Sequence, residues 1–198
     1  MPISAIMSGP SPVYFGPDSS NYATVGSVDP GENVQVYAIE KNWFFIEYYI
    51  GQTATKRRGY VPYNSINNPA TVAASVPNRA FTGSADVSNQ SISVYTGPGT
   101  SAVFPNPGTV YAGEGFTRFN EPSGSYTYIE YSTSSGTRRG YALTSQMAGR
   151  NRGVLADVTA TTATVFTGPR TNYVTGGTVF LGEYVVILER DPSSASPA

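Results

Sequence analysis

Apolar and polar positions alternate over short stretches of this chain, and helical spacing never persists. In NVQVYAI, Val34, Val36 and Ala38 alternate with polar positions. In WFFIEYYI, a period of two puts Phe44, Ile46, Tyr48 and Ile50 on one face. The other face then carries Trp43, Phe45, Glu47 and Tyr49. No stretch of ten or more residues keeps a helical apolar period without Gly, Pro or a β-branched interruption. Runs rich in Val, Ile, Thr, Tyr and Phe, bounded by Gly and Pro, predict short strands and an all-β fold.

The pattern repeats. VYFGP at Val13–Pro17 returns as VYTGP at Val94–Pro98 and VFTGP at Val165–Pro169. GSV at Gly26–Val28 returns as GTV at Gly108–Val110 and Gly177–Val179. Gly-Glu follows at Gly31-Glu32, Gly113-Glu114 and Gly182-Glu183. IEY at Ile46–Tyr48 matches Ile129–Tyr131, and RRGY at Arg57–Tyr60 matches Arg138–Tyr141. Corresponding landmarks lie 81 to 83 positions apart between the first two copies, and 69 to 71 between the second and third. Ordered matches at a near-constant offset define a tandem array.

The predicted organisation is repeat 1 over 1–67, a linker over 68–78, repeat 2 over 79–149 and a truncated repeat 3 over 150–198. The joints lie near Asn67–Asn78 and Ala148–Arg152, and the first is expected to be a linker with room for a short strand. Copy three ends after GEYVVIL, where the next strand is due, which leaves an apolar strand without its partner. Its open edge is expected to pack on copy two or to associate with a second chain.

Composition narrows the function classes. Gly (21) and Pro (15) are the punctuation of a many-stranded chain, and 39% hydrophobic residues suffice for small cores. Lys and Arg number 12 against 13 Asp and Glu, so no basic excess points to nucleic acid or to an anionic wall polymer. With no His and no Cys, triads using His, thiolate chemistry and His- or Cys-ligated metals are excluded within this chain. Repeated acids such as Glu32, Glu114, Glu47 and Glu130 read as scaffold rather than as a catalytic carboxylate pair. No catalytic residue, metal site or cofactor is expected. No 18-residue apolar run is present, so no membrane span is expected, and the first dozen residues lack the layout of a signal peptide.

Short antiparallel strands bury little unless they curl and close, so small, partly open barrels are the expected architecture. The order of features in copy one is VYFGP, GSVDPGENVQV, NWFFIEY and RRGYVP; in copy two it is VYTGP, GTVYAGEGF, SYTYIEY and RRGYAL. This order resembles bacterial SH3-like (SH3b) domains, with Tyr126 standing where copy one has Trp43. The resemblance implies tandem SH3-like β-barrels, two complete and a third incomplete. It also implies a non-catalytic module that targets a cell-wall hydrolase to peptidoglycan, with any catalytic domain outside this chain. An extracellular or wall-associated location follows, by leaderless phage-type release or after loss of a leader. The alternative is a structural or peptide-binding module of an envelope assembly.

Two features are candidates for binding. Glu47 is expected to point away from a small core, which places Trp43 and Phe45 with it on the wetter face; Tyr126 and Tyr128 repeat them. Exposed Tyr and Trp suit sugar rings or extended peptides, whereas the same stripe also suits packing between neighbouring barrels. Arg58 and Arg139, beside Tyr60 and Tyr141, suit bidentate grip of peptide carboxylates, or more plainly blunt a sheet edge. Tyr14 and Tyr95, next to the Gly-Pro loops, are placed to extend such a groove.

Overall fold

The computed structural model describes residues 1–147, 154–167, 171–181 and 184–187, and nearly every element in it is an antiparallel strand. Repeat 1 supplies β1 (Ile3–Ile6), β2 (Ser11–Tyr14), β3 (Thr24–Val28), β4 (Asn33–Glu40), β5 (Trp43–Tyr49) and β6 (Lys56–Pro62). They form one sheet in the order β1-β4-β5-β6-β2-β3. Repeat 2 supplies β7 (Gly83–Val87), β8 (Ile92–Val94), β9 (Gly108–Val110), β10 (Gly115–Ser123), β11 (Tyr126–Thr133) and β12 (Gly136–Leu143). Here β7-β10-β11-β12 form a sheet and β8-β9 a ribbon. A bridge between Tyr95 and Tyr141 ties that ribbon to β12, where repeat 1 pairs Tyr14 with Tyr60. The same strand order therefore occurs twice.

Repeat 3 shows half of it. β13 (Val154–Asp157) pairs with β16 (Tyr184–Ile187), as β1 pairs with β4, and β14 (Thr162–Phe166) pairs with β15 (Thr175–Phe180), as β2 pairs with β3. β13 and β16 lie against β7 of repeat 2. The β14–β15 hairpin exposes Val165, Val174 and Leu181. Gly168, Pro169, Gly182, Glu183, the Ala148–Arg152 joint and the residues from Leu188 to Ala198 lie outside the described residues. The expected all-β class holds, as open antiparallel sheets, none of which closes on itself. Among the described residues no helix is long and apolar enough to cross a membrane.

Each complete repeat has its own core. In repeat 1, Val13, Val34, Val36, Phe44, Ile46 and Val61 are buried together; in repeat 2, Ile92, Val94, Val110, Ile129 and Ala142 are. The RRGY glycines sit where the strands come closest. A Cβ on Gly59 would lie 2.6 Å from Val13 Cγ1 and 2.7 Å from the Tyr14 carbonyl oxygen, and one on Gly140 would lie 2.8 Å from that of Tyr95. Glu32 and Glu114 play matching scaffold parts, accepting from the backbone N–H of Asp29 at 2.9 Å and of Tyr111 at 2.8 Å.

The first linker departs from expectation. It folds into a helix, α1 (Pro69–Ser75), that buries Val72, and with it Val76, on the repeat 1 core. Pro69 opens the helix because its missing N–H would be unpaired there anyway, and Val72 and Val76, four residues apart, share one face. Of the short strand, only a parallel bridge between Ile39 and Asn78 forms.

Candidate functional site

The side of β5 expected to be wet is covered by the other repeat. Register shifts between Val36 and Ala38 in the β4–β5 ladder, so a bulge at Tyr37 turns Ala38, expected on the side of Val34 and Val36, onto the side of Phe45, while Val36 and Ile46 stay on the other. Ala38, Phe45, Tyr60, Phe119, Tyr128 and Tyr141 then make a third core, drawn from both repeats. Phe45 stands 4.9 Å from Tyr60 and 5.7 Å from Tyr128, and Tyr128 stands 4.8 Å from Tyr141, all in tilted ring contacts. Phe45, Glu47 and Tyr128 are buried, which corrects the expected exposure of that face. Its cause is that the two repeats cover each other's outer faces.

Glu47 tolerates burial because basic groups meet it. Arg58 donates to its carboxylate at 2.8 Å and Lys56 at 3.1 Å, while the Tyr37 hydroxyl donates at 3.2 Å. Burial pushes the Glu47 carboxyl up, but Arg58 and Lys56 together outweigh it and hold it below its ordinary value. The equivalent ion pair in repeat 2, Arg139 with Glu130 at 2.7 Å, gains a partner across the seam. Arg139 also donates to Glu40 of repeat 1 at 3.0 Å and to the Tyr22 hydroxyl at 2.9 Å. Reciprocally, Arg58 donates to the Tyr141 hydroxyl at 3.2 Å and Arg139 to that of Tyr60 at 3.4 Å. Burial raises the Tyr60 and Tyr128 hydroxyls well above the usual phenol range.

Backbone hydrogen bonds repeat the reciprocity. Lys56 donates to the Val103 carbonyl at 2.8 Å, and Thr137, its counterpart in repeat 2, donates to that of Asn21 at 3.1 Å. The contact is isologous in kind, the same patch on each repeat facing the other.

The structure thus brings together six of the ten residues singled out in the sequence: Phe45, Arg58, Tyr60, Tyr128, Arg139 and Tyr141, all in the seam. For Arg58 and Arg139 this means that their guanidiniums are committed to Glu47, Glu130 and Glu40. The other four form two matching pairs. Tyr14 and Trp43 meet edge to face at 5.4 Å, and Tyr95 and Tyr126 do so at 6.1 Å. All four are half-buried, so each pair keeps ring surface in water.

Sequence reasoning missed Tyr37, Glu40, Phe81 and Phe119 as members of the seam. Tyr37 lies on the side opposite to Val36, with Glu47, and Phe81, which contacts both Phe45 and Tyr128, comes from the segment just after the linker. Alternation gives the side of Tyr37 but not what it meets, and no periodic pattern marks Phe81. The Tyr22 hydroxyl donates across the seam to Glu130 at 2.6 Å. Among the described residues no three Asp or Glu side chains gather as a metal site would require. Comparison of the chain with protein-family models, with curated proteins and with solved structures found no match.

Proposed function

We propose that this chain is a non-catalytic binding module of tandem SH3-like barrels, holding an attached hydrolase or related envelope protein on bacterial peptidoglycan. The observation that carries this reading is the pair of half-exposed aromatic contacts, Tyr14–Trp43 and Tyr95–Tyr126, at equivalent places in the two repeats. Flat rings with polar edges suit sugars and extended peptides. Two weak sites on one body bind a polymer more tightly than either alone, because the second engagement is intramolecular. Packing through the seam supports this, since it holds the two sites at one spacing. Such a module works outside the cell or at the wall.

Co-sedimentation with purified Gram-positive peptidoglycan tests the proposal. The wild-type chain is expected in the pellet, and the double variant Trp43→Ala with Tyr126→Ala in the supernatant. A cooperative thermal melt must show that variant still folded at the assay temperature, since both side chains also pack against the seam core. A wild-type chain that stays in solution with walls from several species would overturn it.

Burial of Phe45, Tyr60, Tyr128 and Tyr141 favours a second reading, a structural or peptide-binding part of an envelope assembly. Under that reading the aromatic surface is spent on joining the repeats, and the module acts as a rigid spacer.

A further inference from the structure

Six arginines lie among the described residues, and four of them meet carboxylates: Arg58 with Glu47, Arg79 with Glu121, Arg118 with Asp86, and Arg139 with Glu40 and Glu130. Arg57 and Arg138 meet none among those residues. They hold equivalent positions in the two RRGY motifs, and both line one groove of about 220 Å³ at the seam. Its walls mix Phe15, Val25 and Pro107 with the polar Thr24, Thr96 and Asn106, and no Asp or Glu lines it.

Each guanidinium is anchored at one corner. Arg57 Nη1 donates to the Val25 carbonyl at 2.8 Å, and Arg138 Nη1 donates to that of Pro107. Arg138 also lies 5.3 Å from the centre of the Phe15 ring, across the seam. Its Nε is buried without a hydrogen-bond partner. Two like charges on one groove repel each other. An anion between them offsets that repulsion, and two planar forks are the geometry that holds a carboxylate or phosphate.

We propose that this groove binds an oxyanion, a carboxylate or phosphate carried by a ligand, between Arg57 and Arg138. The proposal is independent of the wall-binding reading, because none of Tyr14, Trp43, Tyr95 and Tyr126 lines the groove.

Titration of the full chain at low salt tests it, with N-acetyl-alanyl-alanine and inorganic phosphate as probes and the uncharged C-terminal amide of the dipeptide as control. The Nε–Hε NMR signals of Arg57 and Arg138 report binding. Saturable shifts are expected with at least one anion, weakening as salt is added. The amide should bind roughly tenfold more weakly or worse, as loss of a charge-assisted hydrogen bond requires. Arg57→Gln should weaken the anion by a similar factor. Tighter binding of the dipeptide assigns the groove to a carboxylate-bearing chain, and tighter binding of phosphate to a phosphorylated one. Linear shifts with both anions, or equal binding of dipeptide and amide, overturn the proposal. Because the amide control uses the wild-type protein, the test stands even if Arg57→Gln fails to fold.

Discussion

Removing the Arg139 side chain should cost far more than removing any exposed arginine. The Arg139 and Glu40 side chains are 6% and 4% exposed and come from different repeats. Among the described residues, Arg139→Ala leaves the buried Glu40 carboxylate with only the Tyr60 hydroxyl donating to it, at 2.9 Å. Breaking a buried pair in this way costs about 3–5 kcal/mol. A domain holds about 5–15 kcal/mol in total. Arg79 supplies an internal control. It pairs with Glu121 at 2.6 Å, but the two side chains are 41% and 38% exposed. An exposed pair of that kind is worth about 0–1 kcal/mol. Urea unfolding of wild type, Arg139→Ala, Glu40→Gln and the double variant gives both the single losses and the coupling. The midpoint of Arg139→Ala should fall by about 1 M urea or more, given slopes of about 1–3 kcal/mol/M. The double variant should lose less than the sum of the single losses, since neither partner is then stranded. If Arg139→Ala is no more destabilising than Arg79→Ala, or the two losses add, the seam is not a buried contact in solution.

Two further outcomes follow from the geometry. Gly59→Ala should cost about 1–3 kcal/mol, because the new Cβ meets backbone at Tyr14, whereas Gly9→Ala, with open space around it, should be near neutral in the same thermal melts. Glu47 is held below its ordinary value of 4.5, so its contribution to stability is fully present above about pH 4.5 and is lost as pH falls through the lowered native value. Glu47→Gln should flatten the acid limb of stability against pH, and an unchanged limb would contradict the Arg58 and Lys56 pairing.

The repeat, the all-β class and the inward face of each central strand were legible in the residues themselves. Ile46 and Ile129 are both fully buried, as a period of two in WFFIEYYI and its counterpart requires. The Gly-Glu turns were legible for the same local reason: a left-handed glycine, Gly31 or Gly113, precedes a carboxylate that reaches back to the chain.

What covers the opposite face was not legible. Period two sorts side chains into two sets but does not say what either set meets. Phe45 meets Tyr128 from 83 positions away, through a contact that no local spacing encodes. The bulge beside Tyr37 moved the faces again within one strand. The arginine pairs show the division most plainly. Arg57 and Arg58 are neighbours of the same residue type, yet alternation sends Arg58 to Glu47 in the seam and Arg57 to the groove without a carboxylate. The sequence determined that the two side chains point opposite ways. Only the packing of one repeat on the other decided which arginine was neutralised and which was left available, because the partners lie on other strands and across the seam.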